Sequence, residues 1–525
     1  MFCRLRSATL LGIDASIIEV EVDLKKGLPQ QSIVGLPDPA VREARERVNA
    51  AIRNSGFQFP LGSLTVNLAP ADVKKVGSCF DLAIAVGILL ASEQVALKLD
   101  IWGIMLLGEL SLDGSLKPVR GVLAIVEMAK EMGFHTVFLP AQNAAEASLL
   151  RGISIQSLYS LRETVEVLTG ERTATSDQQF TSPRPARDNG MACPDFSDVR
   201  GQNYAIRAVA IAAAGGHNLL FIGPPGSGKT MIASRIPGIL PPMSDVESLE
   251  TTKIYSIAGL LSAGTGLVRQ RPFRAPHHTA SDVSITGGGR NPIPGEITLA
   301  HNGVLFMDEF PEFRANIIQA LRQPLESGSI TVARADSRLV FPARFMLIAS
   351  MNPCPCGYLF DEDHRCRCSR KLINRYFMKI SGPIIDRIDI QVVVKPLRPF
   401  EIMEGRPADS SESIRRRVIE AHRIQYERFS KEGIFQNAAM DMELVRRYCV
   451  LPDSVKNLLR EAVHRYRLSA RSYYRMLRVA RTIADLDGNE HISRDGILEA
   501  LSYREVERIL YLDTINETSA AVTDS

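Results

Sequence analysis

Long apolar runs are missing from this chain. The longest, "DLAIAVGILLAS", covers twelve of 525 residues, and a helix needs about 20 apolar residues to cross a bilayer. No membrane-spanning helix is expected. The first residues, "MFCRLRSATLLGIDAS", hold too short an apolar region and reach an acidic residue at once, so they make a poor signal peptide. A cytoplasmic protein is the expectation. In that compartment cysteines stay reduced, and clustered ones point to metal rather than disulfides. Strong charge of one sign is also missing. The formal net charge is +3, so composition alone does not argue for nucleic acid. There is no short-period repeat.

Apolar residues make up 45% of the chain and charged residues 23%, the mix of an ordinary soluble globular protein. A chain of 525 residues is too long for one core, so two to four domains are expected. Residues 1–168 alternate strand-like runs ("SIIEVEVDL", "GSLTVNLA", "HTVFLP") with helical ones. Within them "DPAVREARERVNAAIRNSG" reads as a helix with Asp38 as cap, Pro39 in the first turn and Gly56 past the end. Residues 169–190 are polar with two prolines and read as a linker. From 191 to 396, buried strands ("NLLFIG", "GVLFMDE", "RFMLIAS") alternate with helices, the pattern of a parallel α/β sheet. Residues 397–510 are helical, and 511–525 form a tail.

"NLLFIGPPGSGKTMIASRI" contains Gly223, Pro224, Pro225, Gly226, Ser227, Gly228, Lys229 and Thr230, which fit G-x-x-x-x-G-K-[ST] between a strand and a helix. Glycines let backbone N–H groups face phosphates, and the helix N-terminus adds positive potential. Lys229 reaches the β- and γ-phosphates and Thr230 holds Mg²⁺. Downstream, "GVLFMDEF" brings Asp308 and Glu309 to a strand end, where ligands bind in open α/β sheets. Asp308 suits Mg²⁺, and Glu309 suits orientation and deprotonation of the attacking water. The bland alternative is a strand ending in a solvated acidic turn.

Four of eight cysteines fall in one stretch, as Cys354-x-Cys356 and Cys366-x-Cys368 within the insertion 354–368. Two such pairs can converge on tetrahedral Zn²⁺, and Gly357 allows the tight turn a knuckle needs. His364 can replace one thiolate. Unligated reduced cysteines and an iron–sulfur cluster remain open alternatives.

"DVRGQNYAIRAVAIAAAGGHNLLFIGPPGSGKT", "RAPHHTASDVSITGGG", "PGEITLAHNGVLFMDE", "QALRQPLESGSITVARA" and "MNPCPCG" together resemble the AAA+ ATPases. Within them they are similar to the magnesium-chelatase-like family called ComM or YifB, over nearly the whole chain. The resemblance implies an α/β multidomain protein: a Lon-like (ribosomal S5 domain 2-like) α/β domain, a parallel α/β P-loop AAA+ core and a C-terminal α-helical lid. It also implies roles by position. Asn352 matches the sensor-1 residue that feels the γ-phosphate, Arg387 the arginine finger that acts on a neighbouring subunit's ATP, and Arg471 the sensor-2 arginine of the lid. Val199 to Gln202 match the segment beside the adenine. A finger supplied in trans implies a homo-oligomeric ring, and the family implies a hexamer. The cysteines then lie between sensor 1 and finger, as a staple for that loop.

"LAPADVKKVGSCFDLAIAVGILLAS" and "LLGELSLDGSLKPVRGVLAIVEMAKEMGFHTVFLPAQN" resemble the Lon peptidase domain, which uses a Ser–Lys dyad. Here Cys79 falls near the serine position and Leu123 near the lysine position, Lys117 comes too early, and Ser78 has no evident base. A Lon-like fold without peptidase activity is expected, serving ring assembly or partner binding.

Nucleic acid has two candidate surfaces. From Ser411 to Arg481 there are sixteen Lys/Arg against eight Asp/Glu, with Arg471, Arg475 and Arg478 on one helix face. That face is either solvated or phosphate-facing. "SGSITVARADSRLVFPARF" looks like a β-hairpin with Arg334 and Arg338 near its tip, of the kind related AAA+ helicases place in the ring's pore. "RAPHHTASDVSITGGGRNPIPGEI", with Arg290, looks like a second pore-facing insertion. Its adjacent His277 and His278 favour hydrogen bonding over joint metal ligation. The resemblance implies an ATP- and Mg²⁺-dependent motor on single-stranded or branched DNA, driving branch migration when incoming DNA recombines in natural transformation. Two competitors stand beside it. One is the ATPase subunit of a metal chelatase, against which the fused N-terminal domain and the cysteine insertion argue. The other is a protein remodeller or chaperone.

Overall fold

The computed structural model describes residues 1–172, 193–261, 266–289, 292–333, 338–359, 361, 364–380, 382–397, 407–466 and 468–504. Most of the expected linker, the tail, Arg290 and Arg334 lie outside these residues.

The first 168 residues fold around two larger sheets and a short antiparallel ribbon, Glu109–Leu110 with Leu116–Lys117. A four-stranded sheet runs Phe2–Leu11, Asp14–Lys25, Ser63–Ala69, Gln30–Val34 in spatial order. Its first two pairings are antiparallel and the last is parallel. The helix Asp81–Ala91 is apolar on all sides and buried across the first two strands. The helix Pro39–Asn54 begins where the sequence indicates. The Asp38 carboxylate accepts from Val41 N at 2.9 Å, and Gly56 past the end takes φ +88°, a conformation a side chain would strain. A second, parallel sheet runs Ile104–Leu106, Thr136–Pro140, Ser154–Leu158, with the helix Val122–Glu131 against it.

The second region is built on a five-stranded, all-parallel sheet. Its order is Phe273–Arg274, Val304–Met307, Met346–Met351, Leu219–Ile222, Ile390–Val393. Side chains alternate across a strand, so the continuous apolar runs feed two cores at once. Leu219, Phe221, Val304, Phe306 and Ile348 face one core, while Leu220, Ile222, Leu305, Met307 and Leu347 face the other. The first core also holds the helix Asn203–Gly215 and the C-terminal helices Ser411–Arg428 and Ala470–Leu486. The second holds the hairpin Ser329–Ala333/Arg338–Pro342, through Ile330 and Phe341. Thus the helical region covers one face of the sheet and the insertions cover the other.

The N-terminal region docks on the insertion side. Lys253 pairs with Glu127 at 2.6 Å and Asp14 at 3.3 Å, and Ser256 Oγ donates to Glu146. A side chain at Gly12 would touch Leu339 of the hairpin. Among the described residues no helix is long and apolar enough to cross a membrane.

Candidate active site

Three neighbouring strands end side by side and place the site. Leu219–Ile222 runs into Gly223, Val304–Met307 into Asp308, and Met346–Met351 into Asn352. The loop turns through Gly226 (φ +78°) and Gly228 (φ +91°), both in the left-handed region that favours glycine. Gly223 is required for a different reason: a Cβ there would sit 2.3 Å from Val394 O. Lys229 is buried and its Nζ donates to Gly223 O and Pro224 O, each at 2.8 Å. Burial lowers its pKa, opposed by the charges of Asp308 and Glu309. Ser227 Oγ is buried without a hydrogen-bond partner. A buried ammonium and an orphaned hydroxyl over a glycine cradle are what a phosphate group satisfies, so the residues fit a nucleotide.

Thr230 Oγ1 donates to Asp308 Oδ2 at 2.7 Å, and Ser350 Oγ and Glu309 N donate to Asp308 Oδ1. A hydroxyl and a carboxylate in contact beside the phosphate loop fit Mg²⁺, which takes oxygen ligands and keeps several waters. Glu309 has φ +52°, unusual for a residue with a side chain. Its carboxylate reaches away from Asp308 to His278 Nδ1, at 3.1 Å. His278 and Ser350 are parts of the site that sequence reasoning missed. The His-His pair was legible only as a metal question; a hydroxyl two residues before Asn352 was the signal for Ser350. His277 turns to Thr279 Oγ1 at 2.8 Å. Among the described residues neither histidine joins a group of three metal-ligating side chains.

Gln202 is buried and its Nε2 donates to Lys395 O at 2.9 Å and to Ser227 O at 3.4 Å. It ties the segment of Val199, itself fully buried, to the phosphate loop.

Arg387 and Arg471 are elsewhere. Arg387 lies three residues before the strand Ile390–Val393, at the edge where the strands begin. The strand Leu219–Ile222 has four residues, so the two edges are about 13 Å apart. Arg387 is 8% exposed and pairs with Glu326 and with Pro383 O. Its pKa is lowered by burial and by Arg475, Arg471 and Arg322. Four arginines therefore share one neighbourhood. Beside them Asp389 accepts from Arg475 at 2.9 Å and meets His217 at 3.1 Å, and His217 Nε2 meets Thr482 Oγ1 at 2.8 Å. Asp389 is buried, yet Arg475 and His217 hold its carboxyl far below the usual range. Arg478 donates to Ala438 O. Of the three arginines on this helix face, two are thus spent on internal contacts, and only Arg471 is exposed. The face is not an open phosphate surface.

The four cysteines converge. Cys354 Sγ lies 3.3 Å from Cys356 and 3.7 Å from Cys366, Cys356 and Cys366 are 3.6 Å apart, and all four sulfurs lie within 4.8 Å of one another. Four Zn–S bonds of about 2.3 Å put sulfurs about 3.8 Å apart, so the thiols fit zinc. Burial pushes the Cys354 thiol up to about 12, while the N–H of Tyr358 pulls Cys356 down to about 6. His364 turns to Asp361 instead. Gly357 has φ +86°, and a Cβ there would lie 2.8 Å from Pro225 Cδ. The knuckle therefore leans on the phosphate loop itself.

Among the described residues the N-terminal region has no comparable site. Cys79 Sγ donates to Ala8 O at 3.3 Å, and burial pushes its thiol up to about 12. Leu123 is buried, Ser78 is paired with Glu109, and Lys117 is exposed on a short strand. Lys75 is fully buried but its ammonium is held by Pro70 O.

Arg338 is exposed at the hairpin's described end.

Comparison with known proteins matches all three regions. A family model described as "Magnesium chelatase, subunit ChlI" matches residues 195–402, "Subunit ChlI of Mg-chelatase" matches 20–143, and "Magnesium chelatase, subunit ChlI C-terminal" matches 408–504. Competence protein ComM of Haemophilus influenzae is 42% identical over 96% of this chain and 97% of its own. Uncharacterized protein YifB of Escherichia coli is 42% identical over 95% and 96%. A more distant relative is DNA replication licensing factor mcm7-B of Xenopus laevis, 24% identical over 61% of this chain and 38% of its own. The chain belongs to the ComM/YifB family of magnesium-chelatase-like AAA+ proteins, a family membership that implies ATPase activity with ATP and Mg²⁺.

Proposed function

We propose that this family member is the subunit of an ATP-driven ring motor that acts on DNA in the cytoplasm. Gly223 to Thr230 cradle the phosphates, with Lys229 leaving its loop carbonyls for the β- and γ-phosphates. Val199 and Gln202 border the adenine. Mg²⁺, when bound by Thr230 and Asp308, neutralises charge on the phosphate oxygens. Glu309 swings from His278 to orient the attacking water and take its proton. Asn352 senses the γ-phosphate from the adjoining strand end.

The observation that carries this reading is the division of charged groups between the two edges of one sheet. Lys229, Asp308 and Glu309 stand at one edge, and Arg387 and Arg471 about 13 Å away at the other. One chain does not bring them together. Head-to-tail repetition around a ring does, so both arginines act on the neighbouring subunit's ATP, and the ring is a hexamer. DNA passes the hairpin bearing Arg334 and Arg338 and the insertion bearing Arg290. The names of two relatives, which speak of competence and of DNA replication, favour this substrate. The work done is helicase or branch-migration activity on incoming DNA in natural transformation. Cys354, Cys356, Cys366 and Cys368 hold a structural zinc that props the loop against Pro225.

The test is an ATPase and strand-displacement assay on branched DNA, comparing wild type with Lys229→Ala. The proposal expects both activities in the wild type and neither in the variant. ATP hydrolysis without binding or movement of forked or three-stranded DNA would end the motor reading. A second reading is favoured by the description of the matched families: the ATPase subunit of a metal-chelatase-type complex. The N-terminal match carries the same description, so that region does not count against it. Loss of tetrapyrrole synthesis on gene deletion would select this alternative.

A further inference from the structure

We propose that the cysteine knuckle and the helix after it form a binding surface for single-stranded nucleic acid. This rests on the DNA reading above and names where the strand is gripped beyond the two pore insertions.

From His364 to Lys379 the chain carries six Lys/Arg and no Asp/Glu. Lys379 is committed to Glu312, at 3.0 Å. Arg365, Arg367, Lys371 and Arg375 are exposed and, among the described residues, have no carboxylate partner. Three acids, Asp361, Glu362 and Asp363, come just before this stretch and stand three or four positions from Arg365 and Arg367, but neither Lys371 nor Arg375 has an acid at i±3 or i±4. A zinc tetrathiolate would carry two negative charges, and Arg365 and Arg367 alternate with Cys366 and Cys368, so those two partly offset it. Lys371 and Arg375 are not explained that way. They sit i, i+4 on the helix Arg370–Phe377, opposite the buried Tyr376 and Phe377. Arg370 and Lys371 stand in the first turn, with no acid there and no side-chain hydrogen bond from Ser369. That is the helix end where cations are disfavoured and anions favoured.

An exposed aromatic pair comes just before the cations in sequence, with His364 next to Arg365. Tyr358 and His364 stack with ring centroids 5.0 Å apart and planes at 30°. Tyr358 is 37% exposed. Phosphate-binding cations beside an open ring pair match an unpaired strand, whose bases have free faces to stack. A duplex keeps its base faces covered, and an acidic protein has no use for the rings. Gly357 lies between this pair and Pro225, so a strand held here is one contact from the phosphate loop.

The experiment measures binding of a fluorescent single-stranded DNA oligonucleotide to the full, metal-loaded chain across a range of salt. Lys371→Gln/Arg375→Gln is expected to bind about tenfold more weakly at low salt, and the slope of log K against log salt to fall by about 1.4, or 0.7 for each lost phosphate contact. Tyr358→Ala is expected to bind about tenfold more weakly with the slope unchanged, because stacking releases no counterions. Zinc content and DNA-free ATPase stay at wild-type values in both. If the double variant loses metal, Tyr358→Ala alone decides. Wild-type affinity in both variants overturns the inference and leaves the motor reading standing. A wild type that binds no DNA sinks the motor reading and this site with it. Competition by polyglutamate as strong as by DNA assigns the patch to an acidic protein and overturns the inference.

Discussion

The two edges of the parallel sheet handle charge in opposite ways. Where the strands end, Lys229 rests on loop carbonyls, Thr230 on Asp308, and Glu309 on His278. Each of these partners is one that a nucleotide, a cation or a water can replace. Where the strands begin, Asp389 is fixed by Arg475 and His217, and His217 by Thr482. Those contacts bind sheet to helical region and leave nothing for a ligand to replace. Arg387 and Arg471 stand beside that lock without a contact to Asp389 among the described residues. One edge is built to exchange partners and the other to lock the sheet to the helical region.

The comparison breaks most visibly at Arg387. Arg387→Ala is expected to lower kcat for ATP hydrolysis by about 10³ while nucleotide affinity stays close to wild type. Loss of affinity instead of turnover would mean that the arginine belongs to its own chain's cradle. Glu309→Gln comes next. Proton abstraction contributes about 10² or more, so turnover should fall by that factor with ATP still bound, as read by single-turnover kinetics.

Asp389→Asn probes the locked edge. Breaking a buried ion pair costs about 3 kcal/mol, to be read as a lower denaturant midpoint. The Asp389 carboxyl is held below its usual value, so its contribution is present above the unfolded pKa of about 4 and is lost as pH falls below it. The gap between wild type and variant should therefore close in acid. A gap that is flat with pH argues against an ionised lock.

Zinc removal should have a smaller effect. Cys366→Ser is expected to lose the metal, measured by elemental analysis, and to lower ATPase by less than either catalytic substitution, because Gly357 meets the phosphate loop at Pro225 rather than at Lys229 or Thr230. The smallest effect is at Cys79. Its thiol is raised to about 12, so little thiolate exists at neutral pH, and alkylating reagents should leave it unmodified while they label more exposed cysteines. Rapid labelling would reopen the question of a nucleophile in the N-terminal region.

Local chemistry made much of this legible in sequence. The phosphate loop was written in consecutive residues, Asp308 and Glu309 followed an apolar strand, and the Asp38 cap preceded a periodic helix. Each signal spans a few positions, and local physics fixes its meaning. Partnerships across long separations were not legible. His278 meets Glu309 across 31 positions and His217 meets Asp389 across 172, and no spacing rule links them. The basic face of Arg471, Arg475 and Arg478 was real as a pattern, but burial against Asp389 and Ala438 decided its use. The cysteine pairs gave a ligand set, while their contact with Pro225 needed the fold.

The central claim is that each ATP is served by two chains. Lys229→Ala and Arg387→Ala, each inactive alone, should be mixed, allowed to exchange subunits, and assayed for ATP hydrolysis. A mixed ring contains interfaces that join the intact phosphate loop of one variant to the intact arginine of the other. The account predicts that activity returns on mixing; a mixture as inactive as its parts would contradict it.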